Sequence, residues 1–128
     1  MLNHITVMGR ITHDLELRYT PNNVPVTSFA VAVERDFKDA DGEKITDFID
    51  CVAWRSTAEF ITKYFTKGRM TVVDGSLQIR HWEDRDGNPR KTAEIVVDNA
   101  YFGDSKKIED EEPEEKPSKK NNRSSRYK

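Results

Sequence analysis

Apolar residues recur at every second position through most of this chain, and that period changes only once. The alternation covers residues 3–10, 26–34 and 47–54, and it returns over residues 70–79 and 91–102. A period of two, rich in β-branched and aromatic side chains, is typical of β-strands. Between the third and fourth stretches the apolar spacing becomes helical. The pattern therefore predicts three strands, one helix and two further strands.

The predicted helix carries its own start and stop signals. Apolar residues follow one another at helical spacing over residues 58–65, and Ser56 and Glu59 have the spacing of a capping box. We expect Ser56 to be the N-cap residue. Gly68 stands just beyond the apolar spacing, where a C-terminal glycine belongs.

The element order is that of one known barrel architecture. We predict an all-β fold, a five-stranded OB-fold Greek-key barrel with one helix between strands 3 and 4. Turn signals at residues 41–42 and 84–89 predict two protruding hairpin arms, at about residues 35–46 and 82–91. The side chains expected in the core are Phe29, Val31, Ile61, Phe65, Leu77, Ile95 and Val97.

The composition changes near Gly103 and divides the chain into two parts. Residues 1–103 form the predicted OB-fold domain, whereas residues 104–128 contain few large apolar side chains. Such a segment buries too little apolar surface to offset its ordering entropy, so we predict a disordered charged tail. The formal net charge of the chain is −2, so a phosphate-binding surface must be a local patch.

The cysteine and histidine content predicts neither a metal nor another cofactor. Cys51 is the single cysteine and alternates with Ile49 and Ala53, which predicts a buried, inert thiol. The three histidines lack the spacing of metal ligands. The first residues show no signal-peptide pattern, and no apolar run reaches the length of a membrane span. We therefore expect a cytoplasmic protein without membrane contact.

Aromatic and basic side chains are interleaved at the strand ends and along the arms. The candidates for a binding site are Phe37, Phe48, Trp54, Trp82, Arg35, Arg55, Arg80 and Arg90. Aromatic rings stack on unpaired bases, and cations neutralise the phosphate backbone. This combination predicts binding of single-stranded nucleic acid that tolerates many sequences and weakens with salt. For Phe48 and Trp54 a core position is an equal alternative, because Val52 shares their face.

Over residues 1–103 the chain resembles bacterial single-stranded DNA-binding proteins. The resemblance lies in MLNHITVMGRIT, DLELRYTPNNVPVTSFAVAVERDF, GEKITDFIDCVAWRSTAEFITKYFTKG, VVDGSLQIRHWEDRDGNPRKT and EIVVDNAYF. It implies an OB-fold that assembles as a homotetramer, wraps single-stranded DNA and is associated with the nucleoid. It also implies stacking roles for Phe37, Phe48, Trp54 and Trp82.

The tail departs from the pattern of that family. Major cellular members finish in a short acidic tip with an apolar, proline-containing end that recruits replication and repair enzymes. Here the acidic block lies at residues 109–115, and the sequence closes with RSSRYK. We therefore expect no tail-mediated recruitment, and we favour a secondary paralogue or a version from a phage or mobile element.

Three other hypotheses stay open at this point. An OB-fold adaptor would bind protein partners instead of DNA and would show little salt dependence. An OB-fold nuclease would need a convergent carboxylate–metal site, for which the sequence offers no candidate. RNA binding would use the same stacking and phosphate contacts. We favour a non-enzymatic protein that binds single-stranded DNA during replication, recombination or repair.

Overall fold

A computed structural model describes residues 1–104, which form strands around one short helix. The elements are β1 (Ile5–Ile11), β2 (Arg18–Tyr19), β3 (Pro25–Lys38), β4 (Lys44–Trp54), α1 (Arg55–Tyr64), β5 (Met70–Glu83) and β6 (Pro89–Phe102). The predicted tail, apart from its first residue, lies outside the described residues, so its disorder and its role in recruitment stay predictions. Among the described residues, no helix is both long and apolar enough to cross a membrane.

The five long strands close into a barrel. Their order around it is β1, β5, β6, β4 and β3, and β1 returns to pair with β3. The β4–β6 pair is parallel, and the other neighbours are antiparallel. Helix α1 joins β4 to β5, as the OB-fold requires. The predicted architecture is confirmed, with the two-residue strand β2 as an addition beside β3.

Both predicted hairpin arms are present, and the same turn closes each of them. Asp39 in the first arm and Asp84 in the second arm accept two backbone N–H bonds each through a side-chain oxygen. The pKa of the Asp84 carboxyl lies below its usual value. The main cause is the hydrogen bond from the Asn88 backbone N–H, and bonds from Arg90 and from the Asp86 N–H lower it further. Gly42 and Gly87 adopt positive φ angles of 81° and 83°, which suits glycine in these tight turns.

The helix differs from its predicted start and end. It begins at Arg55, directly after β4, and Trp54 is the N-cap without a side-chain cap bond. Ser56 as the N-cap is therefore wrong, because β4 runs into the helix with no intervening loop. Gly68 does not end the helix either. Phe65 leaves the helical path to enter the core and stacks on Phe102, with ring centroids 4.5 Å apart.

The barrel interior contains the predicted core with one exception. The confirmed core residues are Phe29, Val31, Ile61, Phe65, Ile95 and Val97. Leu77 was predicted to be buried and is exposed. Strand β1 pairs with β5 only as far as the Ile5–Gly75 pair, so Leu77 lies beyond the end of β1. The Leu77 backbone instead bonds to the side-chain amide of Asn3: the amide Nδ2 donates to the Leu77 carbonyl oxygen, and the Leu77 N–H donates to Oδ1.

One polar side chain in the core offers a test of the packing. Thr27 is fully buried, and its hydroxyl has no hydrogen-bond partner among the described residues. A buried hydroxyl without a partner costs free energy. We expect Thr27→Val, which replaces the hydroxyl with a methyl group, to raise the free energy of unfolding by about 1 kcal/mol in urea denaturation.

The matched control is Thr71→Val in the same core. Thr71 is equally buried, but its hydroxyl donates a 3.0 Å hydrogen bond to the carbonyl oxygen of Arg69. This variant should lose stability, because the bond from Thr71 is lost, although the Ile11 N–H still donates to the Arg69 carbonyl oxygen. If Thr27→Val and Thr71→Val were destabilised equally, the Thr27 hydroxyl would have to be satisfied.

Candidate nucleic-acid interface

The strand registers decide which side of β4 faces the core. Phe48 lies opposite Ala32, and Trp54 lies opposite Val26, so both rings project from the outer face of the sheet. Cys51 and Ala53, at the alternate positions, are buried. The exposed fractions are 69% for Phe48 and 42% for Trp54. The alternative that placed these two aromatic residues in the core is therefore wrong.

Trp54 lines an open groove of about 420 Å³ on this outer face, which we call the Trp54 groove. Its other ring is Tyr19, and two arginines and one carboxylate lie within it. The charged lining residues are Arg18, Arg80 and Glu94. An aromatic surface flanked by two cations has the composition that a stacked, phosphate-linked base needs.

Strand β2 supplies one of the two rings and one of the two arginines of this groove, and the sequence pattern predicted no site residue there. Arg18 pairs with Val26, which in turn pairs with Trp54 across β3 and β4. This register brings Arg18 and Tyr19 to the groove. A strand of two residues is too short for an alternation to reveal it. The only available signal was the ELRYTP stretch, which contains both residues.

The second arm carries Trp82 in a separate concave surface of about 550 Å³, lined also by Arg90 and Lys91. Arg90 is the cross-strand partner of Trp82. The indole Nε1–H donates a 2.9 Å hydrogen bond to the Thr92 hydroxyl, and 42% of the Trp82 residue surface is exposed. The hydrogen bond fixes the orientation of the ring while one side of it stays open.

Phe37 stands apart from the two tryptophans. It is exposed on the first arm, within the stretch between Glu34 and Lys38 where the β3–β4 register shifts. The strand pairing therefore does not tie Phe37 to the outer face that contains Phe48.

Three of the four predicted arginines form ion pairs with carboxylates. Arg35 donates two hydrogen bonds to Asp47, at 2.9 and 3.1 Å. The other pairs join Arg90 to Asp84 at 2.9 Å and Arg80 to Glu94 at 3.6 Å. Each arginine side chain is about half exposed. Asp47 is about half exposed as well, whereas the Asp84 and Glu94 side chains are less than one-fifth exposed. Because all three guanidinium groups reach solvent, each arginine can also contact an incoming phosphate.

The Arg35–Asp47 pair changes the ionisation of both of its members. The hydrogen bond from Arg35 lowers the pKa of the Asp47 carboxyl, and the same bond raises the pKa of the Arg35 guanidinium. Both groups therefore stay charged at neutral pH. The fourth predicted arginine, Arg55, is exposed beside Trp54, with a positive φ of 59° at the strand–helix junction.

The cysteine is buried, as predicted. Burial first, and then the charges of Asp50 and Glu94, raise the pKa of the Cys51 thiol to about 12. The thiol therefore stays protonated and unreactive at neutral pH. Within residues 1–104, no three His, Cys, Asp or Glu side chains gather in a way that suits a metal ion.

Comparison with known proteins identifies the family. The model of the Single-strand binding protein family matches residues 2–103. The chain belongs to this family. As a member of the single-strand binding protein family, it carries all eight predicted site residues, and Arg18, Tyr19 and Glu94, inside the matched region.

Curated relatives extend the comparison within the single-strand binding protein family. The "Single-stranded DNA-binding protein" of Oceanobacillus iheyensis is 44% identical over 106 residues, which cover 83% of this chain and 66% of the relative. "Single-stranded DNA-binding protein 3" of Listeria innocua has the same identity and coverage. The Bacillus cereus relative, "Single-stranded DNA-binding protein", is 43% identical over 80% of this chain and 60% of its own length. The chain thus spans about two thirds of the length of these relatives, or slightly less.

Proposed function

We propose that this protein binds single-stranded DNA without reading its sequence and coats it during replication, recombination or repair. The observation that carries the proposal is the Trp54 groove, where two exposed rings and two arginines share one open face. The names of the relatives support the same ligand. Coating a strand makes and breaks no covalent bond, so the protein acts as a binding protein and not as an enzyme.

Stacking supplies the part of the affinity that does not depend on salt. Unpaired bases stack on Trp54 and Trp82, and Phe48 and Phe37 offer further exposed rings. Each stacked base contributes about 1–3 kcal/mol, and every base has a face that can stack. The hydrogen bond from Trp82 to Thr92 orders the ring before DNA arrives, which lowers the entropic cost of binding.

Arginine side chains supply the part that depends on salt. Arg35, Arg80 and Arg90 exchange their carboxylate partners for phosphates, and Arg55 meets the backbone beside Trp54. Phosphate contacts release counterions from the strand, so the affinity falls with a slope of about −0.7 per phosphate in a logarithmic plot against salt. Neither contribution distinguishes single-stranded DNA from RNA strongly.

Self-association and location belong to the same proposal. Exposed apolar side chains at Leu2, Leu77 and Ile79 offer surface for a second copy, which supports the homotetramer implied by the family resemblance. Mass determination by light scattering tests this assembly, and a monomer at micromolar concentration would contradict it. A protein that coats DNA strands in this way acts at the nucleoid, in the cytoplasm.

A fluorescence titration tests the proposed ligand. Trp54 and Trp82 are the only tryptophans, so stacking of bases on them should quench most of the intrinsic emission. We expect saturable quenching by an oligothymidine, with a dissociation constant that rises steeply between low and moderate salt. The same strand annealed to its complement is the control and should quench far less. Unchanged emission at saturating oligonucleotide would favour the adaptor hypothesis, and tighter binding of oligouridine would favour RNA.

A further inference from the structure

We infer that Glu94 gives the Trp54 groove a subsite for a base with an exocyclic amino group, which raises the affinity for cytosine relative to thymine. The inference rests on the proposed binding of single-stranded DNA and deepens it. Stacking and phosphate contacts do not distinguish one base from another, so a Glu94 subsite would be the source of a preference between bases.

The first observation is a carboxylate with unused acceptor capacity. The Glu94 side chain is only 18% exposed, and its charged neighbour Arg80 lies 3.6 Å away, which is too long for a hydrogen bond. No donor among the described residues forms a hydrogen bond to the Glu94 carboxylate. A carboxylate that protein atoms largely cover gains from donors that replace the lost contacts with water. A ligand that brings N–H groups would satisfy it.

The second observation is that the neighbouring strand supplies charge of the wrong sign. Asp50 is the register partner of Glu94 in the parallel β4–β6 pair. Two carboxylates side by side disfavour a phosphate at this point of the sheet. The part of the groove beside Glu94 therefore suits the edge of a base, whereas Arg18 and Arg80 suit the phosphate backbone.

The third observation is the shared groove. Trp54, Tyr19 and Glu94 line the same space of about 420 Å³. A base that stacks on one of the two rings places its hydrogen-bonding edge inside this space, where the carboxylate is the acceptor. The two rings can stack on any base, whereas the carboxylate favours bases whose hydrogen-bonding edge presents a donor.

The chemistry of the pyrimidine edges then sets the preference. Cytosine presents the N4 amino group, which donates to Glu or Asp carboxylates. Thymine presents the O4 carbonyl at that position, and its N3–H lies between two carbonyl oxygens that repel a carboxylate. Glu94 therefore favours cytosine over thymine, relative to a site that lacks its charge.

The test compares oligodeoxycytidine with oligothymidine of equal length, each bound to the wild type and to Glu94→Gln. The measured quantity is the selectivity, Kd for oligothymidine divided by Kd for oligodeoxycytidine. We expect this ratio to fall by about threefold to tenfold in Glu94→Gln, because the amide offers both a donor and an acceptor. Glu59→Gln makes the same change of charge at an exposed position of α1 and should leave the ratio unchanged.

A second variant separates the reach of the carboxylate from its charge. Glu94→Asp keeps the charge and withdraws the carboxylate by one methylene, so its selectivity should also fall. Equal affinity gains for both oligonucleotides in Glu94→Gln, with an unchanged ratio, would overturn the inference and reduce Glu94 to a competitor for Arg80. Full selectivity in Glu94→Asp together with Glu94→Gln would overturn it as well. Failure of the wild type to bind either strand would instead contradict the proposed function itself.

Discussion

Replacing both tryptophans with alanine is expected to weaken the binding of an oligothymidine by at least about 30-fold. Trp54 and Trp82 each stack on a base in the proposed complex, and each stacked base contributes about 1–3 kcal/mol. Two lost contacts therefore cost about 2 kcal/mol or more, and every 1.4 kcal/mol is tenfold in Kd. Because the double variant contains no tryptophan, its affinity is measured by fluorescence anisotropy of a labelled strand.

The control for this experiment is an exposed ring outside the groove. Phe60 on α1 is 43% exposed, close to the value for each tryptophan, and Phe60→Ala should bind within about twofold of the wild type. The thermal midpoint of the double variant should stay close to that of the wild type, because both rings are partly open to solvent. Equal losses of affinity in Phe60→Ala and the tryptophan variant would refute the assignment of the groove.

The largest expected effect on stability comes from a glycine where two strands come unusually close. The β5–β6 register shifts between Asp74 and Gly75, and a Cβ at Gly75 would overlap the carbonyl oxygen of Val96 and lie 3.1 Å from the Asp98 nitrogen. The obstacle is backbone, which cannot rotate away. We expect Gly75→Ala to lower the free energy of unfolding by about 3 kcal/mol, as in other overpacked cores, measured by urea denaturation.

Gly87→Ala is the comparison that separates collision from backbone strain. Gly87 has a positive φ of 83° in the turn of the second arm, and a Cβ there meets no atom within 4 Å. Only the cost of a left-handed alanine applies, about 1 kcal/mol. If Gly75→Ala were no more destabilised than Gly87→Ala, β6 would have to move away from β5 at low cost.

The order of the elements was predictable because the period of the apolar residues is a local property of the chain. The buried face of β4 was not predictable, because both faces are apolar. Phe48, Val52 and Trp54 lie on one face, and Cys51 and Ala53 lie on the other. The choice depends on pairing with β3 and β6, which brings together residues distant in sequence. Periodicity alone contains no information on that pairing.

The wrong predictions share a physical cause. Ser56 has the spacing of a helix cap, but the capping signal assumes a loop before the helix, and β4 leaves none. Leu77 continues the alternation of β5, but burial also needs a neighbouring strand, and β1 begins only at Ile5, opposite Gly75. In both cases the local sequence pattern was typical of an isolated helix or strand, and the neighbouring strand changed the capping or the burial.

The carboxylates beside the arginines also determine how the protein responds to nucleic acid at a distance. An arginine held by Asp47, Asp84 or Glu94 is a small dipole, and the field of a dipole fades faster than that of a free charge. Beyond a Debye length of about 8 Å in physiological salt, this face therefore exerts little pull on a stiff double helix. In the proposed complex, a flexible strand that enters the groove displaces these carboxylates and frees the positive charge of their arginines only on contact. We therefore expect selection between the two forms of DNA to depend on contact with the surface more than on attraction during approach.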